Sequence, residues 1–176
     1  MSVETERGDR VDQAREQRFL VSHAAGHDKI YRYFRRRTEG ATEAEDLCAE
    51  VFRIAWEKSR DHELSVLLLF GIARNVLRNH NRSNIRSLNL VQELQRQRTS
   101  TPDSGEGAVQ EALDKLRPQD REVLLLTYWD GLSSAEVAEL LHVTATAVRM
   151  RLYRARKELG QLLGADHIAE GVGNEH

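Results

Sequence analysis

Apolar residues recur at intervals of three and four along most of this chain, and the interruptions divide it into helices rather than strands. The pattern turns helical near Val11. Phe19, Leu20 and His23 precede a break at Gly26, after which Ile30, Tyr31 and Phe34 mark the inner face of a segment that stops by Gly40. Thr42 with Glu45 three residues on predicts a capping box, opening a helix to Lys58. A long helix is predicted from Leu64 to Asn84, apolar in its first half (LSVLLLFGIA) and basic in its second. Residues 86–107 lose periodicity and gather Gln, Ser, Thr, Pro and Gly, which predicts a flexible linker with a short helical piece at Leu90 to Leu94. Order resumes over Val109–Leu116, and Pro118 opens another helix ending at Gly131. Residues 1–10 are expected to be disordered, and the tail after Gly164 need not fold.

The strongest local signal is Asp130 to Leu159, which predicts a helix-turn-helix. Ser133 or Ser134 caps a short first helix with Glu136 in its first turn, and Val137, Ala138 and Leu141 face inward. His142-Val143 makes the turn, and Thr144 caps the second helix. There Val148, Leu152, Ala155 and Leu159 recur at i, i+4, i+7 and i+11, making one buried stripe. What remains exposed is basic: Arg149, Arg151, Arg154, Arg156 and Lys157 stand against Glu158 alone, a local charge of +4, with Tyr153 among them. That density suits DNA phosphates, and arginine can also pair bidentately with guanine in the major groove.

Charge changes the picture elsewhere. The net charge is only −2, so any nucleic-acid surface must be local. Lys29 to Arg37 is basic, Glu43 to Glu50 acidic, Arg74 to Arg86 basic and the tail acidic, which suggests separate partners for separate surfaces. Arg74, Arg78, Arg82 and Arg86 repeat every four residues with no acid among them, a repulsive arrangement that a polyanion would relieve. Asn75 stands beside them, and an amide can read a base edge. In the helix of Leu47, Val51, Phe52, Ile54, Ala55 and Trp56, the apolar arc is wider than one stripe and edged by Asp46, Glu50 and Glu57. Such an arc fits a helix central to a bundle, and equally one that packs inward and binds a basic partner outward.

Few prolines and many Ala, Leu, Glu and Arg residues argue for an all-α chain. The single cysteine, Cys48, excludes an internal disulfide, suits a reducing cytoplasm, and reads as a buried structural thiol. The N-terminus lacks an apolar signal core and the longest apolar run, Val66 to Phe70, is too short to span a bilayer, so a soluble cytoplasmic protein is expected. No phosphate-binding loop, nucleophile elbow, metalloprotease motif or cysteine cluster is present; no enzyme, cofactor or metal is expected. His23 and His27 have helical zinc spacing but no third ligand nearby.

The two motifs together resemble the extracytoplasmic-function sigma factors of bacterial RNA polymerase, over most of the chain. LRPQDREVLLLTYWDGLSSAEVAELLHVTATAVRMRLYRARKEL is similar to the family's domain for the −35 promoter element. AEDLCAEVFRIAWEK followed by FGIARNVLRNH is similar to the domain that docks on core polymerase and opens the −10 element. The resemblance implies two small helical domains, residues 10–85 and 108–163, joined by the linker 86–107 and followed by the tail 164–176. It implies core-polymerase docking by Asp46, Leu47, Glu50, Val51, Phe52 and Trp56, and −10 contacts by Arg74, Asn75, Arg78 and Arg82. It implies −35 contacts by Thr144, Thr146, Arg149, Tyr153 and Arg154. Core RNA polymerase, promoter DNA and an anti-sigma factor are the implied partners. The chain departs from the family in a short loop, SRDHEL, in Leu68 where tryptophan is usual, in Gly71 for a basic residue, in Met150 for a small polar residue and in His142 for a turn glycine. The competing reading is a dimeric helix-turn-helix regulator that binds a palindromic duplex without polymerase.

Overall fold

The computed structural model describes residues 2–91 and 106–171, which form seven helices and no strand. They belong to two compact units that divide between Arg96 and Gln97.

In the first unit α1 (Ser2–Arg35), α2 (Ala41–Lys58) and α3 (Val66–Val91) each pack on the other two. Ile30, Tyr33 and Phe34 of α1 meet Leu47, Val51, Phe52 and Ala55 of α2 and Leu69, Phe70, Ala73 and Val76 of α3, and all are buried. Helix α1 runs unbroken through Gly26, where the sequence predicts a break, and it already begins at Ser2, where disorder is expected. The glycine serves packing instead: a Cβ there would lie 2.4 Å from Leu69 Cδ1, so its absence lets α3 approach. Nor does Thr42 cap α2. Gly40 occupies that position in extended backbone, with no side-chain cap, and the Glu39 N–H donates to Glu43 Oε2 at 3.3 Å. Helix α3 continues past Asn84 through residues assigned to the linker, since no Gly or Pro interrupts the chain between Gly71 and Pro102. Residues 92–105 of that linker lie outside the described residues, and its last two, Glu106 and Gly107, already belong to a helix.

The second unit holds α4 (Glu106–Lys115), α5 (Pro118–Tyr128), α6 (Ser134–Leu141) and α7 (Ala145–Gly171). Helix α7 is its spine, contacting the other three. Leu113, Leu116, Leu124, Leu125 and Ala155 form the core there, with Val109, Leu159 and Leu162 partly buried against it. Pro118 is at the start of α5, as its fixed φ favours. Helix α7 carries on beyond Gly164, a residue that costs a helix only about 1 kcal/mol relative to alanine.

Candidate nucleic-acid and docking interfaces

Local chemistry sets the geometry of α6 and α7. Ser133 Oγ accepts from the Glu136 N–H at 3.2 Å, and Glu136 Oε2 accepts from the Ser133 N–H at 2.8 Å, a complete capping box. The helix ends at His142, in left-handed backbone (φ 55°, ψ 44°), a strained conformation for a non-glycine residue. Two residues later Thr144 Oγ1 accepts from the Ala147 N–H at 3.1 Å and caps α7. Val137, Ala138 and Leu140 are buried, so Leu140 takes the place foreseen for Leu141, which is only half-buried. Val148, Leu152 and Ala155 form the buried stripe, with Leu159 partly buried at its end.

Thr144, Thr146, Arg149, Tyr153 and Arg154 are all exposed. They are not equivalent. Arg149 Nη2 donates to Thr146 Oγ1 at 3.3 Å, leaving most of its fork open. Arg154 is held from below: its Nη2 lies 3.2 Å from Oδ1 of Asp120, a carboxylate only 2 % exposed. Asp120 Oδ2 is buried without a hydrogen-bond partner among the described residues. Arg154 is therefore the counter-charge of a buried acid as well as part of a basic surface. The sequence conceals this, because Asp120 reads as an ordinary first-turn acid of α5 and its partner is 34 residues away. Arg156 Nη1 likewise donates to the Tyr128 hydroxyl at 3.0 Å.

In the first unit, α3 turns Ile72, Ala73 and Val76 inward, Asn75, Arg78 and Arg82 outward, and Arg74 to the margin. Among the described residues none forms a salt bridge to Arg74, Arg78 or Arg82, so these cations share one solvated face. His80 does not join them. Its Nε2 lies against Glu43 of α2, and Asn84 Nδ2 reaches the same nitrogen at 2.9 Å.

Helix α2 separates the residues that the sequence groups together. Leu47, Val51 and Phe52 are 8 %, 0 % and 7 % exposed and belong to the core, whereas Asp46, Trp56 and part of Glu50 face out. Arg53 bridges Glu50 at 2.8 Å and Glu57 at 2.6 Å. The hydrogen bond from Arg53 holds the Glu50 carboxyl below the usual carboxylate range. Trp56 is built into place: the Arg15 guanidinium lies 3.9 Å over its ring, Phe19 meets it edge-on at 5.2 Å, and Arg15 Nε donates to Ser59 Oγ at 2.8 Å. Nothing in the charged run around Arg15 sets that arginine apart in the sequence.

The rings of His23 and His27 lie 5.0 Å apart, tilted by 33°, beside Phe52. Burial, and then His27, push the His23 pKa down. No group of three or more His, Cys, Asp or Glu side chains able to hold a metal ion occurs among the described residues. None of the described helices is long and apolar enough to cross a membrane.

The family described as sigma-70, region 4 matches residues 106–159. The ECF RNA polymerase sigma factor SigL of Mycobacterium tuberculosis is 30 % identical over 142 residues, covering 74 % of this chain and 80 % of SigL. The ECF RNA polymerase sigma factor BldN of Streptomyces coelicolor is 30 % identical over 153 residues, and the match covers 79 % of this chain but 58 % of BldN. In fold the chain is similar to the sigma factor RpoE solved with the anti-sigma factor NepR from Bartonella quintana (TM-score 0.63, 23 % identity, 86 % of this chain and 97 % of that one). It is also similar to CnrH solved with the cytosolic domain of CnrY (TM-score 0.58, 24 % identity, 88 % and 90 % covered).

Proposed function

Because the chain belongs to the ECF RNA polymerase sigma factors, we propose that it binds bacterial core RNA polymerase in the cytoplasm and directs initiation at promoters with −10 and −35 elements. The observation that carries this reading is the presence, in one chain, of two exposed basic faces on two separate units. One is Arg149 and Tyr153 on α7, the other Asn75, Arg78 and Arg82 on α3 with Arg74 at its margin.

The second unit grips duplex DNA. Thr144 and Thr146 stand at the start of α7 for phosphate contacts, and Arg149 offers its fork to a base edge in the major groove. Arg154 contributes charge to this surface while remaining tied to Asp120. The first unit works on separated strands: Asn75 recognises an unstacked −10 base by hydrogen bonds, and the flanking arginines follow the backbone. Docking on polymerase uses the outward members of α2, Asp46, Glu50 and Trp56, while Leu47, Val51 and Phe52 support them from the core. No residue needs to be catalytic, and no cofactor is required. Tethering both units to polymerase raises the effective concentration of each for its element, so two weak contacts become one specific one. An anti-sigma factor is a further partner, a reading supported by the similarly folded RpoE, solved with the anti-sigma factor NepR.

The test is polymerase-dependent transcription and strand opening with two variants. Arg149→Ala is expected to relax −35 selectivity with opening preserved on a consensus promoter. Asn75→Ala is expected to impair opening with duplex binding preserved. Unchanged transcription by both variants would contradict the assignment.

A further inference from the structure

Helix α7 carries an apolar feature that phosphate binding does not require. Met150 is 56 % exposed and Tyr153 is 60 % exposed, on a helix whose other outward residues are polar or basic. At about 100° per residue, Val148, Leu152 and Ala155 point roughly 140 to 160° away from Met150. Met150 is thus the apex of the outward face. Thr146 and Tyr153 lie on one side of it, within about 60°, and Arg154 lies on the other, held by Asp120. An exposed methionine at the apex of a solvated helix gains nothing from water. It also has no strong donor or acceptor for a base edge or phosphate.

We infer that Met150, walled by Tyr153, is a specificity-determining residue that contacts the C5-methyl group of a thymine in the −35 duplex. The inference rests on the proposed promoter-binding role of this helix. Among major-groove edges only thymine offers an apolar group, and side chains without hydrogen-bonding heads recognise it by contact. The charge of its segment favours a nucleic acid as the occupant: Arg149, Arg151, Arg154, Arg156 and Lys157 stand near Met150 in sequence with Glu158 as the one acid, which disfavours a basic or neutral protein partner. Met150 is also in the second turn of α7, counted from Ala145, within the N-terminal part of the helix that such motifs insert into the groove. Flexible and polarizable, a thioether can settle against a methyl without strict geometry.

The experiment uses the full chain with core polymerase on a promoter selected from a randomised library. Each −35 thymine is replaced in turn by deoxyuridine, which deletes the methyl and leaves base pairing intact. At one position the replacement should weaken promoter binding about three- to fivefold, the size expected for one buried methyl. Met150→Leu should keep that sensitivity and Met150→Ser should lose it, with core-polymerase binding equal in all three proteins. Equal binding of thymine and deoxyuridine promoters by the unsubstituted protein would overturn the inference, as would full methyl sensitivity in Met150→Ser. Either result would leave initiation intact and the promoter-binding reading standing. Failure to initiate on any member of the library would instead remove that reading, and the inference with it.

Discussion

Gly26 illustrates how a single residue can be legible in type and misleading in meaning. In the sequence it is a helix breaker between two apolar clusters. In the folded chain it is a helical residue against the buried Leu69. Gly26→Ala should gain about 1 kcal/mol of helix propensity. It should lose about 1 to 3 kcal/mol by overpacking. A net destabilisation of about 1 kcal/mol is expected, read from urea unfolding, and a rise in the midpoint would contradict the packing account. Cys48 was easier to place, since Leu47 and Val51 beside it already imply an interior position. Burial, and then the charge of Asp28, push its thiol up to about 11. The reactive thiolate is thereby depleted about a hundredfold relative to the ordinary thiol value of 9.0. Alkylation at pH 8 should be slower by about that factor in the folded chain than in urea; similar rates in both would show that the site is open.

At the scale of the element, signals confined to one turn of chain were readable and those that depend on another helix were not. Ser133, one of the two serines expected to cap α6, does so, Glu136 in the first turn completes a capping box with it, and Thr144 caps α7. Thr42 and Glu45 have the same spacing, yet α2 starts two residues earlier, after Gly40, and Glu43 serves the preceding turn instead. In α2 the wide apolar arc of six side chains could not reveal which of them meet α1 and α3. Leu47, Val51, Phe52 and Ala55 are buried there, whereas Trp56 meets Arg15 and Phe19 of α1 yet stays 37 % exposed. The link between α5 and α7 is the clearest tertiary case. If Arg154 neutralises the buried Asp120, Arg154→Ala should lower stability by about 1 to 2 kcal/mol, less than for a fully buried pair because the arginine is half-exposed. Asp120→Asn should abolish most of that cost in a double-mutant cycle. An arginine serving DNA alone would leave the urea midpoint unchanged when removed.

Over the whole molecule, a net charge of −2 conceals two basic faces, and only their position along the chain makes them visible. The order of the two motifs and the helical class could be read directly, because both depend on periodicity and local composition. The contacts that hold Trp56 on α2 and Arg154 on α7, to Arg15 and Asp120, could not, because each pairs residues more than thirty positions apart. In the proposed function the two faces act together through polymerase, since neither small unit need hold a promoter well alone. The most direct measurement is in vitro transcription by purified bacterial core polymerase, with and without this protein, over a library of promoter-sized DNA. Protein-dependent initiation at sequences sharing two separated elements is the predicted result. No initiation and no polymerase binding, together with protection of a palindromic duplex by the protein alone, would contradict it.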